Sequence, residues 1–301
     1  MNAAALFAVC TAIWGSTWLV ITFQLGVVAP EVSVTWRFLA AGLVLAAFCV
    51  ATRRPMRFSR ADHLRLALQG TLMFCLNYVL IYWAEQHVVS GLVAVVFATF
   101  TMMSLFAQRA VHGTPITARA TAGALLGVTG VALLFLPQIA GAARADHDTL
   151  VGIGWALAGT VAATLGNAVA SRGQQRGLSI VPTTAWSMLY GALATAVLAW
   201  ALGAKWSFDA RPAYVGSLVY LALFGSVVAF VAYLELMRKV GMARASYVGV
   251  STPVLALALS TALEGYVPTL YTVAGTALVI GGNLIVLRRR TPPSADGIRP
   301  R

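Results

Sequence analysis

The sequence predicts an all-α integral membrane protein, with ten transmembrane helices as two inverted-topology five-helix repeats and both termini cytoplasmic. Three observations carry this. Ten long apolar runs fill the 301 residues, of which 59% are hydrophobic and 10% charged. A helix rising ~1.5 Å per residue needs about 20 apolar residues to cross a bilayer core, and no water-soluble fold covers so much apolar surface. Lys and Arg concentrate in alternate gaps between the runs. Finally, the second half of the chain repeats the first at an offset of 152 residues.

The first run, residues 3–22, has neither a basic leading segment nor a small-residue cleavage site, so it reads as a retained span and not a signal peptide. The second, 32–51, carries the one cation placed inside a span, Arg37. Runs three to five fall at 65–84, 89–108 and 118–137, the last marked by Gly123, Gly127 and Gly130. Runs six to eight follow at 149–170, 180–201 and 213–234. The ninth, 243–262, is interrupted by Ser251 and Pro253, and the tenth, 268–287, contains Gly275 and Gly281–Gly282. The division is therefore a first repeat at 1–137, a periplasmic linker at 138–148 and a second repeat at 149–290. Residues 291–301, with three prolines, read as a disordered cytoplasmic tail.

Charge orients the chain. The even-numbered gaps and the C-terminal tail hold 17 of the 21 Lys and Arg residues, and the odd-numbered gaps hold only Arg144, Lys205 and Arg211. Basic loops resist translocation, so the rich side is cytoplasmic. The alternation also checks the helix count, because a missed span would put every later gap out of phase. The net charge of +12 is thereby explained without nucleic acid: no basic cluster carries interleaved stacking aromatics. Membrane lipid is the expected partner of these charges. Cys10, Cys49 and Cys75 sit singly in apolar runs, where they fill space; no disulfide framework, metal site or cofactor is expected.

At the 152-residue offset, residues 84–135 align with 236–287 without a gap, pairing Gly113 with Gly265, Thr117 with Thr269, Gly123 with Gly275 and Gly130 with Gly282. Five spans per half is an odd number, so the second half enters the membrane inverted. Inverted repeats of this kind build secondary transporters that bind substrate near the bilayer midplane.

Trp14-Gly15-Ser16-Thr17, Pro30 with Arg37-Phe38-Leu39-Ala40-Ala41, Ala243-Arg244-Ala245-Ser246 with Thr252-Pro253-Val254, and the glycines of the tenth run resemble the EamA family of the drug/metabolite transporter superfamily. Within that family the chain is most similar in character to YddG-type exporters of aromatic amino acids. The resemblance implies a multi-pass protein of the bacterial inner membrane and a cavity bordered by spans 1, 3, 4, 6, 8 and 9. Two positions depart from the family pattern: His112-Gly113 ends the fourth span, and Thr101 stands opposite Pro253 in the repeat.

Residues three, four and seven apart share a helix face. Thr11, Gly15 and Trp18 form such a line in the first span; Phe74, Asn77, Tyr78 and Tyr82 share an arc in the third. Phe97, Thr101 and Ser104 do so in the fourth, Thr160, Thr164 and Asn167 in the sixth, and Phe230 follows from Tyr78 by the repeat. Single Ser and Thr residues in such positions usually bond their own backbone. A primary amide carries more hydrogen-bonding groups than its own backbone satisfies, so Asn77 and Asn167 are stronger candidates. The expected cavity residues are Trp18, Asn77, Tyr78, Tyr82, Thr101, Asn167, Phe230 and Ser251, with Gly15 and Pro253 as gating positions. Pro253 fits a hinge or a fixed bend equally, and Tyr82 fits an interfacial anchor as well as a cavity wall. Arg37 is expected to snorkel to the outer interface or to bond helix-end carbonyls, with capture of a substrate carboxylate as the sharper reading.

All nine carboxylates and four histidines lie in gaps, tails or span ends. Proton relays are built from titratable groups near midplane, so facilitated or exchange transport is expected. An export carrier for small metabolites, amino acids with aromatic ones first, acting as a monomer by alternating access through an uncharged cavity, is the leading reading. Sugar phosphates, nucleobases and cationic drugs are rival substrates, although phosphates call for cations in the cavity. There is no Gly-rich Lys-Ser/Thr phosphate loop to bind ATP. An intramembrane enzyme ranks below transport, because no nucleophile–base or carboxylate pair is legible.

Overall fold

The computed structural model describes residues 1–112, 118–134, 136, 147–241, 245 and 248–287, and every regular element among these is a helix. In chain order they are α1 (Ala3–Thr22), α2 (Pro30–Ala51), α3 (Arg60–Glu85), α4 (Ser90–Phe97), α5 (Phe100–His112) and α6 (Ala118–Leu134). There follow α7 (His147–Gln175), α8 (Ile180–Ala201), α9 (Pro212–Val240), α10 (Val248–Leu263) and α11 (Leu270–Leu287). Six of these, α1, α2, α3, α7, α8 and α9, are long and apolar enough to cross a membrane, and shorter apolar helices accompany them. The expected tail at 291–301 and most of the expected linker lie outside the described residues. So do Arg244 and Ser246 of the family-like motif. His147 and Asp148, placed in the linker, are instead the first turn of α7.

Local signals explain the helix starts. The Asn2 side chain accepts from the amide of Ala5 at 2.8 Å, and Ser59 accepts from that of Asp62, so orphan donors at two N-termini are satisfied. Pro30 and Pro212 open α2 and α9 at the position where a missing N–H costs nothing. The surface reverses the pattern of a soluble protein. Leu43, Leu125, Leu193 and Trp200 are more than half exposed, whereas Arg37, Asn77, Asn167 and Asn283 are buried. Only a hydrocarbon solvent makes that arrangement favourable.

One expectation about continuity is corrected. The fourth run is not one helix: it breaks at Ala98–Thr99 between α4 and α5. The Ala98 carbonyl at the break accepts from the Asn283 side chain of α11 at 3.1 Å and from the Thr101 amide at 3.3 Å. A backbone group left free in an apolar interior is thus satisfied from a neighbouring helix. The ninth run, by contrast, is helical through Ser251 and Pro253. One lost backbone bond at a proline is tolerated there, because Pro253 is buried against its neighbours.

The sequence did not announce two π-helical segments, Thr71–Leu76 within α3 and Leu221–Val228 within α9. They stand at nearly the same place in each half, and each ends just before the residues that face the centre. Helices from the two halves interleave. Helix α6 packs on α11, α2 on α8, α1 on α9 and α10, and α7 on α3, α4 and α5. The α6–α11 contact is made backbone to backbone. A β-carbon on Gly130 would lie 2.7 Å from the Gly275 carbonyl oxygen, and one on Gly275 would lie 2.6 Å from that of Gly130.

Candidate functional site

One cavity of about 80 Å³ lies where α1, α3, α4, α5, α7, α9 and α10 meet. Room for a water needs roughly 10–15 Å³ on this measure, so the space holds several waters or a small organic group. Its walls are aromatic. Trp14 packs on Phe230 and Tyr233 at ring-centroid distances of 5.1 and 5.0 Å, Trp18 on Phe97 at 5.3 Å, and Phe97 stacks with Phe100 at 5.8 Å. Tyr78 is held from behind by Phe38 at 4.7 Å. Helices α6 and α11 contribute no lining residue, nor do α2 and α8.

Polar groups interrupt the walls at chosen points. Asn77 and Asn167 each donate Nδ2 to the carbonyl one turn back, to Met73 at 3.3 Å and to Ala163 at 2.9 Å. Neither Oδ1 has a hydrogen-bond partner among the described residues, and both are buried; the same holds for Trp18 Nε1 and the Tyr233 hydroxyl. Four unmatched polar groups therefore belong to the residues of one aromatic cavity. Buried polar atoms in native proteins are rarely left so, and a bound solute offering donors and acceptors would satisfy them. No lining residue is charged.

The π segments set this geometry. In α3 the Asn77 amide reaches back five residues to the Leu72 carbonyl, and in α9 the Ser226 hydroxyl donates to the Leu221 carbonyl at 2.9 Å. One extra residue in each turn rotates the stretch that follows, and Asn77–Tyr78 and Phe230 line the cavity. Such bulges recur at functional sites.

Of the residues expected from sequence, Trp18, Asn77, Tyr78, Asn167 and Phe230 line this cavity, whereas Tyr82, Thr101 and Ser251 do not. Tyr82 is fully buried, which excludes an interfacial anchor; its hydroxyl accepts from Arg37 at 3.4 Å. Ser251 shares a 2.8 Å hydrogen bond with Thr11 and thereby ties α10 to α1. Thr101 is buried beside Gly249, whose β-carbon would lie 3.3 Å from its Oγ1. Gly15 lets α1 approach α10, since a β-carbon there would come 2.6 Å from Leu255 Cδ2. Pro253 is buried in the middle of α10. Arg37 contradicts the snorkelling expectation: it is 0% exposed. Its long stem does not point toward water because Tyr82 and Ser226 receive its head inside the bundle.

The lining residues that sequence reasoning did not select include Ile21, Met73, Ile81, Ala163, Tyr233 and Val248. Tyr233 was findable, since it lies three residues beyond Phe230 on the same face. The aliphatic ones carry no signal that separates a cavity wall from packing.

At the end of the bundle formed by the loops after α3 and α10, Glu264 joins the halves. Its carboxylate accepts from the Ser90 hydroxyl at 2.7 Å and from the Ser260 hydroxyl, and Ser260 in turn accepts from the Gly91 amide at 2.8 Å. The first turn of α4 is thus capped from α10.

Comparison with known proteins agrees with this architecture. The sequence profile of the EamA-like transporter family matches residues 1–136 and again 150–288. YedA of Escherichia coli K12, named as an inner membrane transporter, is 32% identical over 273 residues, covering 87% of this chain and 82% of YedA. PagO of Salmonella typhimurium is 22% identical over 97% of this chain and 95% of its own. A solved crystal structure at 18% identity superposes with a TM-score of 0.67, covering 94% of this chain and 96% of the other, and shows the same fold. The molecule is therefore a membrane transporter by its fold and relatives. The chain belongs to the EamA-like transporter family, within the drug/metabolite transporter type, and is a multi-pass protein of the inner membrane.

Proposed function

We propose that the protein exports small metabolites, amino acids with aromatic side chains foremost, by alternating access of the central cavity to the two sides of the membrane. The observation that carries this reading is the pairing of aromatic walls with four unmatched polar groups, Trp18 Nε1, Asn77 Oδ1, Asn167 Oδ1 and the Tyr233 hydroxyl. Two amide oxygens suit an ammonium donor, and the rings suit an aromatic face. A solute bound there touches both halves of the chain, so its binding energy is available to bias their relative position.

In this reading the ten apolar runs are ten spans, and residues 1–137 and 149–290 are two repeats of opposite orientation, with both termini cytoplasmic. The reading is supported by the family profile matching twice and by the π segment in the third helix of each half. Exchanged contacts support it further: α1 meets α9 as α7 meets α3, and α2 meets the π segment of α9 as α8 meets that of α3. The protein acts as a monomer and is not an enzyme; transport runs downhill or by exchange.

Reconstitution into liposomes tests this. Labelled phenylalanine or tryptophan is expected to enter vesicles preloaded with the unlabelled solute faster than protein-free vesicles. Equal rates for every amino acid tried would remove the substrate assignment. Net flux driven by an imposed pH gradient, with no solute gradient, would overturn the downhill mechanism.

A further inference from the structure

Arg37 is the largest fully buried side chain among the described residues. It reaches from α2 across α3 to α9. Nε donates to Ser226 Oγ at 3.0 Å and Nη1 to the Tyr82 hydroxyl at 3.4 Å. Ser226 gives its own proton to the Leu221 carbonyl, so toward Arg37 it acts as an acceptor. The guanidinium carbon lies 4.4 Å from the centre of the Tyr78 ring and 5.2 Å from that of Phe38. Among the described residues Nη2 has no hydrogen-bond partner, and no carboxylate lies within ion-pair distance of the group. Glu85 is buried one turn beyond Tyr82, but neither of its oxygens has a partner among the described residues, so the two side chains form no ion pair.

A buried guanidinium with free donors in an apolar bundle is costly unless something completes it. Its position says what. Tyr78, on whose ring the cation rests, lines the cavity, and so does Thr17. A β-carbon at Gly225 would lie 3.2 Å from Arg37 Nη2 and 2.9 Å from Thr17 Cγ2, so the free nitrogen sits directly behind this wall, across a gap that glycine keeps thin. The lining itself carries no charge.

We propose that Arg37 is the anion-selecting group of the transporter and that it favours solutes bearing a single carboxylate, held against the Thr17–Tyr78 wall. One guanidinium charge behind the wall balances one carboxylate; a phosphate dianion would call for a second cation, and none stands among the lining residues. This rests on the cavity being the substrate site. It adds a charge requirement that the uncharged lining does not predict.

The test uses the full-length protein purified in detergent, with dissociation constants for matched pairs such as phenylalanine and its amide, or tryptophan and its amide. At about pH 6, where the α-amino group of the amide is also protonated, each pair keeps the ring and the ammonium group and differs at the carboxylate. Wild type is expected to bind the carboxylate member at least about tenfold more tightly, the scale of attraction between unit charges acting through one thin wall at an effective dielectric of about 20. Arg37→Gln should collapse the ratio to near one, and Arg37→Lys should retain part of it. Equal binding of both members by wild type overturns the proposal and leaves the cavity reading intact. So does a ratio unchanged in Arg37→Gln. Should that variant fail to fold, the wild-type ratio and Arg37→Lys still decide. If no member of any pair binds or crosses a bilayer, the substrate reading itself falls.

Discussion

Asn167→Leu separates a binding amide from a packing amide by the sign of two effects. Asn167 makes one side-chain hydrogen bond, Nδ2 to the Ala163 carbonyl at 2.9 Å. That carbonyl also stands at the position from which the helix's own amide bond is taken, so it is not orphaned when the side chain changes. The bond is worth about 0.5–1.5 kcal/mol net, whereas the buried, unpartnered Oδ1 carries a desolvation penalty of about 1–3 kcal/mol. Leucine is close in shape and removes both terms, so the fold should be unchanged or more stable by about 1 kcal/mol. Binding should move the other way. A substrate ammonium donating to Oδ1 is worth about 1.5–3 kcal/mol, hence roughly a tenfold or greater loss of affinity. Chemical unfolding in detergent and a dissociation constant on the same preparation give both numbers. A variant that unfolds more easily yet binds solute like wild type would show that the amide serves packing and would refute the reasoning.

Gly275→Ala must push α6 from α11, because the new β-carbon meets the backbone of α6 at two points, the Gly130 carbonyl at 2.6 Å and the Leu134 amide nitrogen at 2.9 Å. Overpacking costs about 1–3 kcal/mol; thermal unfolding should fall while flux per folded molecule is retained, because neither helix lines the cavity. Glu264→Ala removes the cap on α4 and should cost about 0.5–2 kcal/mol, read as faster amide exchange in residues 90–94. Asp209 offers a test by pH. The side chain and the backbone amide of Arg211 hold its carboxyl below the usual carboxylate value. A depressed value means that its contribution is complete above pH ~4 and is lost as pH falls through the lower folded value. Exchange protection of residues 202–211 should therefore drop only in acid, and Asp209→Asn should abolish that dependence.

How much of this was legible in the sequence follows from what each feature depends on. Solvent alone decides where apolar runs lie, so α1 and α8 begin and end at the residues predicted from hydropathy. The break at Ala98–Thr99 depends on Asn283, 185 residues away, which no local pattern carries. Pro253, read as a hinge or a fixed bend, lies inside a helix that continues through it. Asn77 and Asn167 were legible because an amide in hydrocarbon is anomalous wherever it occurs. Tyr82 was misleading: its place near a span end fits an interfacial anchor, but the partner that draws it inward is Arg37, on another helix. The π segments gave no compositional sign at all.

The internal repeat explains why the chemistry of the cavity had to be uneven. Under the 152-residue offset Trp14 corresponds to Gly166, Met73 to Gly225, Asn167 to Gly15, Trp18 to Ala170 and Asn77 to Ala229. In each pair a large or polar residue in one half stands where the other half has a small one. The contacts give the physical reason. Trp14 lies on Gly225, donating Nε1 to its carbonyl at 3.2 Å, and Met73 lies on Gly166, whose β-carbon would come 2.8 Å from that of Met73. The two contacts are images of one another under the repeat, with the large residue on α1 in the first and on α3 in the second. At each contact the first helix of one half faces the third helix of the other across a narrow space. Two large side chains there would collide, and two small ones would leave a void that close-packed interiors avoid. Duplication could therefore keep the frame of helices and glycine contacts in both halves. The amides and the buried cation at the centre stand in one half only at each equivalent pair, whereas Tyr78 and its equivalent Phe230 both keep a ring, 6.3 Å apart; Arg37, opposite Leu189 in the repeat, is the extreme case.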